Sequence, residues 1–85
     1  MKNTNIKIFI IDDDALWTKV LSQQLVKQGF ENIQYFDNGQ AGLDNLIEEP
    51  TVVFLDYQME EEDGLSILKK IKEHNKTIQV IFCTS

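Results

Sequence analysis

The sequence has no arginine and only one cysteine, one proline, one histidine and one tryptophan in 85 residues. A single cysteine, Cys83, excludes an internal disulfide framework. The eight lysines are scattered against fourteen acids, for a net charge of −6 and a pI near 4.5. That balance argues against a nucleic-acid footprint, which needs clustered positive charge. It argues equally against an anionic membrane surface. No apolar run is long enough to span a bilayer. The N-terminus leads into only six residues, Ile6 to Ile11, before the acids, too short for a signal-peptide core. No Gly/Ser/Pro-rich linker and no internal repeat interrupts the chain. These absences lead to the expectation of one small, soluble, cytoplasmic domain over residues 1–85, near the size where a single core only just suffices. Apolar residues make up 42%, too many for a disordered polar chain.

The apolar residues are arranged in alternating blocks. Ile6 to Ile11 is a β-branched run that stops at Asp12-Asp13-Asp14. Both of its faces are apolar near its end, as in a buried parallel strand. Helical spacing follows at Leu16, Trp17, Val20, Leu21 and Leu25, with Asp14 as the expected N-cap and Gly29 as the C′ residue. Ile33 to Phe36 reads as a short strand, and Asp37-Asn38-Gly39 as a turn that caps a second helix. Leu43, Leu46 and Ile47 give that helix an apolar stripe ending at Pro50. Val52 to Leu55 is a second fully apolar strand, and it too stops at an acid, Asp56. Asp63 and Gly64 open a third helix with Leu65, Leu68 and Ile71 on one face, and Ile78 to Cys83 is a last apolar strand. The order βαβαβαβ implies a parallel sheet with right-handed crossovers.

Ligands of open α/β sheets bind outside the carboxyl ends of the strands. Asp12, Asp13 and Asp56 all stand directly after buried strands, so neighbouring strands would bring three carboxylates into one crevice. Unpaired, they repel; a divalent cation removes that penalty. Oxygen-only ligands with no histidine or cysteine nearby select a hard ion, Mg²⁺ first and Mn²⁺ or Ca²⁺ next. The plainer alternative is three solvated turn acids. Trp17 and Tyr57 read as covers of a core edge, and Cys83 as a buried thiol. His74, near the third helix's C-terminus, suits the helix dipole and has no partner motif for zinc or phosphoryl chemistry.

Five blocks in order carry a resemblance: Ile10-Ile11-Asp12-Asp13-Asp14, Asn38-Gly39-Gln40-Ala41-Gly42-Leu43, Val53-Phe54-Leu55-Asp56-Tyr57-Gln58-Met59, Asp63-Gly64-Leu65 and Phe82-Cys83-Thr84-Ser85. Together they resemble the receiver (CheY-like) domains of bacterial two-component response regulators, over essentially the whole chain. The resemblance implies a flavodoxin-like, doubly wound α/β sheet with strand order 2-1-3-4, incomplete because a fourth helix, fifth strand and fifth helix are missing. It implies that Asp56 is the phosphoacceptor, taking a phosphoryl group from a sensor histidine kinase or phosphotransfer protein. It implies that Asp13 and Asp56 bind Mg²⁺ directly, Asp12 through water, and Gln58 through its backbone carbonyl. Thr84 would place its hydroxyl on a phosphoryl oxygen and act as a switch; read without the family, it is an ordinary strand-end threonine.

The position after Met59 is usually proline in that family and is Glu60 here, so a stiffening element is lost. The family's phosphate-binding lysine follows the fifth strand and has no counterpart in these 85 residues. The chain therefore reads as a truncation with impaired phosphorylation, and its bare fourth strand as a template for a homo-oligomer. No output domain is expected. Two other readings stand beside this one. The first is a Mg²⁺-dependent aspartyl-phosphate phosphatase of the haloacid-dehalogenase type, with Asp12 of an Asp-x-Asp pair as acceptor. The second is an interaction fragment that is never phosphorylated.

Overall fold

The computed structural model describes residues 6–59 and 63–83. Glu60, Glu61, Glu62, Thr84, Ser85 and the first five residues lie outside that set. Four strands and three helices alternate: β1 (Lys7–Ile11), α1 (Ala15–Lys27), β2 (Asn32–Phe36), α2 (Gly39–Asp44), β3 (Val52–Asp56), α3 (Gly64–His74) and β4 (Gln79–Cys83). The strands form one parallel sheet in the order β2-β1-β3-β4. This is the doubly wound arrangement expected from the sequence.

Local chemistry fixes the helix limits. The Asp14 carboxylate accepts from the Trp17 amide at 3.1 Å and caps α1. The helix ends in a Schellman pair: the Gly29 amide donates to the Val26 carbonyl and the Phe30 amide to the Leu25 carbonyl. Gly29 sits at φ 96°, where a side chain would be strained. Asn38 caps α2 through the Ala41 amide at 2.8 Å, and Asp63 caps α3 through the Leu65 amide at 3.1 Å.

The second helix is shorter than its apolar stripe suggested. It stops at Asp44, where the Asn45 side chain donates to the Ala41 carbonyl, and the chain tightens into a 3₁₀ turn over Leu46–Glu48. Leu46 is buried by that turn, but Ile47 is turned out to 83% exposure. Helix phase was misjudged elsewhere too. Leu16 and Val20 lie on the solvent side of α1, while Leu65 is exposed and Ile67 takes its place beside Leu68 and Ile71 on α3. The last strand starts at Gln79, one residue after the buried Ile78.

Register divides the sheet residues between two faces. Phe9, Ile11, Val53 and Leu55 share one face and pack with Leu46, Ile67, Ile71 and Ile78 beneath α2 and α3. Ile8 and Ile10 are buried on the other face, which also carries Phe54, Ile81 and Cys83. The Trp17 indole of α1 lies close enough to Cys83 to act on its thiol, which places α1 over this second face. Each fully buried isoleucine or leucine stabilises the fold by about 1.5–3 kcal/mol. β4 is the outer strand beside β3, and Ile81 and Phe82 on it are substantially exposed. Cys83 is accordingly half-buried rather than buried, because nothing among the described residues covers the far side of β4.

Candidate functional site

β1 and β3 are neighbours in register, so their carboxyl ends come out side by side. Asp12, Asp13 and Asp56 meet there, with one ligand oxygen from each within 4.8 Å of the others. Asp12 and Asp56 are buried and Asp13 is exposed. The crevice anticipated from the two strand-end acid positions is therefore formed.

Two of the three carboxylates are oriented by the backbone that follows them. Asp12 Oδ1 accepts from the Asp14 amide at 2.9 Å, and Asp56 Oδ1 accepts from the Gln58 amide at 3.1 Å. Each is an Asx turn, in which an aspartate side chain binds the amide two residues on. The turns hold one oxygen of each carboxylate and leave the other unengaged by this contact. Sequence reasoning did not identify these amides, although an aspartate at a strand end followed by a turn is the signal that could have found them.

Burial pushes the Asp12 carboxyl above its ordinary range. The charges of Asp56, Asp13 and Asp14 push in the same direction, against the Asp14 amide. Cys83 pairs with Asp56 across β3 and β4. Its thiol is also raised, first by burial and then by the nearby Asp12 and Asp56 charges. A protonated thiol is a weak nucleophile, so Cys83 is a neighbour of the site rather than a reactant. The Trp17 indole N–H acts on that thiol in the opposite direction without reaching hydrogen-bond geometry, and is buried with no other partner.

The donor set suits a hard divalent cation: carboxylate oxygens only, three of them, two desolvated and at repelling distance. Gln58 lies beside Asp56 and forms an isolated antiparallel bridge with Asp63. Thr84 falls outside the described residues. Next to the acids a groove of about 460 Å³ runs between the ends of β1 and β2, and Asp37, Thr18 and Tyr35 contribute to its walls. Asp37 adds a further acid to this end of the sheet, beside Asp12, Asp13, Asp14 and Asp56, where its sequence suggests only part of a turn.

Residues 8–85 match the response regulator receiver domain family. The chain belongs to that family. This receiver domain is 34% identical over 80 residues to the chemotaxis protein CheY of Bacillus subtilis, covering 93% of the chain and 67% of that protein. It is 35% identical over 82 residues to sporulation initiation phosphotransferase F of the same organism, covering 95% of the chain and 65% of that protein. Among solved structures it superposes on the BeF3-activated DrrB receiver domain with a TM-score of 0.83 and 31% identity, covering 99% of the chain and 67% of that chain. The receiver domain thus spans about two thirds of the length of these relatives. Among the described residues, no helix is long and apolar enough to cross a membrane.

Proposed function

We propose that this receiver domain accepts a phosphoryl group on Asp56 in a two-component phosphorelay and changes its partner contacts when it does so. The observation that carries the reading is the meeting of Asp12, Asp13 and Asp56 at the adjacent ends of β1 and β3. The donor would be the phosphohistidine of a sensor histidine kinase or phosphotransfer protein, or a small phosphodonor. Asp56 Oδ2, the oxygen not engaged by the Gln58 amide, attacks phosphorus. The P–N bond breaks, the imidazole nitrogen keeps the electron pair and takes up a proton, and an acyl phosphate forms. Positioning and charge neutralisation dominate such transfers. Asp12, Asp13, Asp56 and the Gln58 backbone carbonyl would hold a Mg²⁺ ion, with Mn²⁺ as a substitute, which when bound neutralises charge on the phosphoryl oxygens. Thr84 would donate its hydroxyl to one of those oxygens.

The domain itself acts as a signalling module over residues 1–85, in a reducing cytoplasmic setting. Self-association through β4 is expected, because among the described residues it is an outer strand and carries the exposed Ile81 and Phe82. The haloacid-dehalogenase-like reading, with Asp12 as acceptor, is weaker. The match of residues 8–85 to the receiver domain family supports Asp56 as acceptor instead.

The test is acetyl phosphate with Mg²⁺, followed by peptide mass spectrometry after long incubation. A phosphoryl adduct on Asp56, lost in Asp56→Asn, is expected. An adduct on Asp12 would transfer the assignment to the phosphatase reading, and no adduct under any condition would favour a fragment that is never phosphorylated.

A further inference from the structure

Two helices touch the site's strand ends through glycines. Gly64 opens α3, and a Cβ built on it would lie 2.8 Å from the Tyr57 carbonyl oxygen, 3.0 Å from Tyr57 Cα and 3.1 Å from the Asp56 carbonyl oxygen. All three are backbone atoms of the segment that carries the phosphoacceptor. The Gly64 amide also donates to the Tyr57 carbonyl, and Gln58 bridges Asp63. The first residues of α3 are thus seated directly on the peptide that presents Asp56. On the other side, a Cβ on Gly42 of α2 would lie 2.4 Å from Ile11 Cδ1 and 2.9 Å from Ile11 Cγ1. Ile11 is the last residue of β1 and immediately precedes Asp12.

We propose that Gly64 and Gly42 are positioning residues for the acid site: the missing side chains let α3 and α2 fix the ends of β3 and β1, and so the spacing of Asp56 from Asp12 and Asp13. The inference rests on the metal-assisted reading of that site. The two contacts differ in kind. At Gly64 the obstruction is backbone, so a methyl group must displace the Asp56–Tyr57 segment or the helix. At Gly42 it is a side chain, so shortening Ile11 to valine relieves the strain in part: it removes Cδ1 and leaves Cγ1 at 2.9 Å. Disturbing the groups that orient metal ligands typically lowers metal affinity by roughly 10–100-fold.

The experiment measures Mg²⁺ affinity by Trp17 fluorescence in the 85-residue chain, with urea unfolding of every variant in EDTA. Gly64→Ala is expected to weaken Mg²⁺ by about tenfold or more. Ile71→Val, a core change on the same helix, is expected to lose stability and keep its Mg²⁺ affinity, which separates positioning from simple destabilisation. Gly42→Ala is expected to weaken Mg²⁺, and Gly42→Ala with Ile11→Val, which removes Cδ1 but keeps Cγ1, to recover part of the loss. If Gly64→Ala does not fold, the Gly42 pair carries the test. Wild type that binds Mg²⁺ together with glycine variants that bind it equally well would overturn the proposal and leave the site intact. The same result follows if Ile71→Val weakens Mg²⁺ as much as Gly64→Ala. A wild type that fails to bind Mg²⁺ would instead remove the metal site on which the inference rests.

Discussion

Replacing Asp12 by asparagine is expected to stabilise the metal-free protein while weakening its response to Mg²⁺. Asp12 is only 5% exposed, and its carboxyl pKa is raised by burial and by neighbouring charges. At 4.8 Å, the widest separation within the cluster, two full charges repel by about 3.5 kcal/mol at an effective dielectric of 20. Asp13 is exposed and screened, and the Asp14 amide offsets part of the burial penalty, so roughly 1–2 kcal/mol should be recovered. The asparagine carbonyl can still accept from the Asp14 amide, so the Asx turn survives. In a domain of this size the gain corresponds to a melting-temperature rise of about 4–16 °C. The sign with pH is fixed by linkage. Between the ordinary and the raised carboxyl pKa the folded state binds more protons than the unfolded state, so Asp12 makes stability fall as pH rises through that window. Urea unfolding in EDTA at neutral and mildly acid pH reads both effects: the advantage of Asp12→Asn should shrink as pH falls. With millimolar Mg²⁺ the wild type should gain more than the variant. A variant that is less stable than wild type in EDTA at neutral pH would refute the reasoning, because it would show that Asp12 is not under electrostatic strain.

Ile71→Ala, at a fully buried α3 position, should destabilise by about 2–5 kcal/mol, whereas Ile47→Ala, 83% exposed, should be nearly neutral; chemical denaturation of both checks the assigned helix phase. Sedimentation equilibrium at micromolar concentration should show self-association of the 85-residue chain, reduced by Ile81→Lys on β4; a folded, strictly monomeric wild type would contradict the edge argument. Gly29→Ala should destabilise by about 1 kcal/mol or more, since φ 96° strains any side chain at the α1 terminus; thermal unfolding reads the difference.

The site was legible because its signal is local and topological. An apolar strand that stops at an aspartate was visible twice, and the alternation of strands with helices made a parallel sheet the natural solution. Caps were legible for the same reason: Asp14, Asn38 and Asp63 each stand where an orphan amide needs an acceptor. Helix faces were harder. Apolar residues exceed what one stripe can bury in α1, so Leu16 and Val20 could be assigned inward only by ignoring their competition with Trp17, Leu21 and Leu25. The break after Asp44 depends on a side chain, Asn45, taking a backbone acceptor four residues earlier, which apolar spacing does not report. The apolar composition of β4 made Cys83 read as a buried thiol, whereas the edge position expected for that strand leaves it half-buried. Gly64 and Gly42 were quoted as motif letters; only the approach of backbone and side-chain atoms to their missing Cβ positions shows what they do.

The most direct test of the acid site is a Mg²⁺ titration followed by Trp17 fluorescence. Trp17 sits in the first turn of the helix capped by Asp14, with its indole beside Cys83, the strand partner of Asp56. Wild type should give a saturable change in the millimolar range, and Asp13→Asn should require about tenfold or more Mg²⁺ for the same change, as expected for removing one charged ligand. Identical curves for the two proteins, or no change in either, would contradict the assignment of Asp12, Asp13 and Asp56 as a cation-binding phosphoacceptor site.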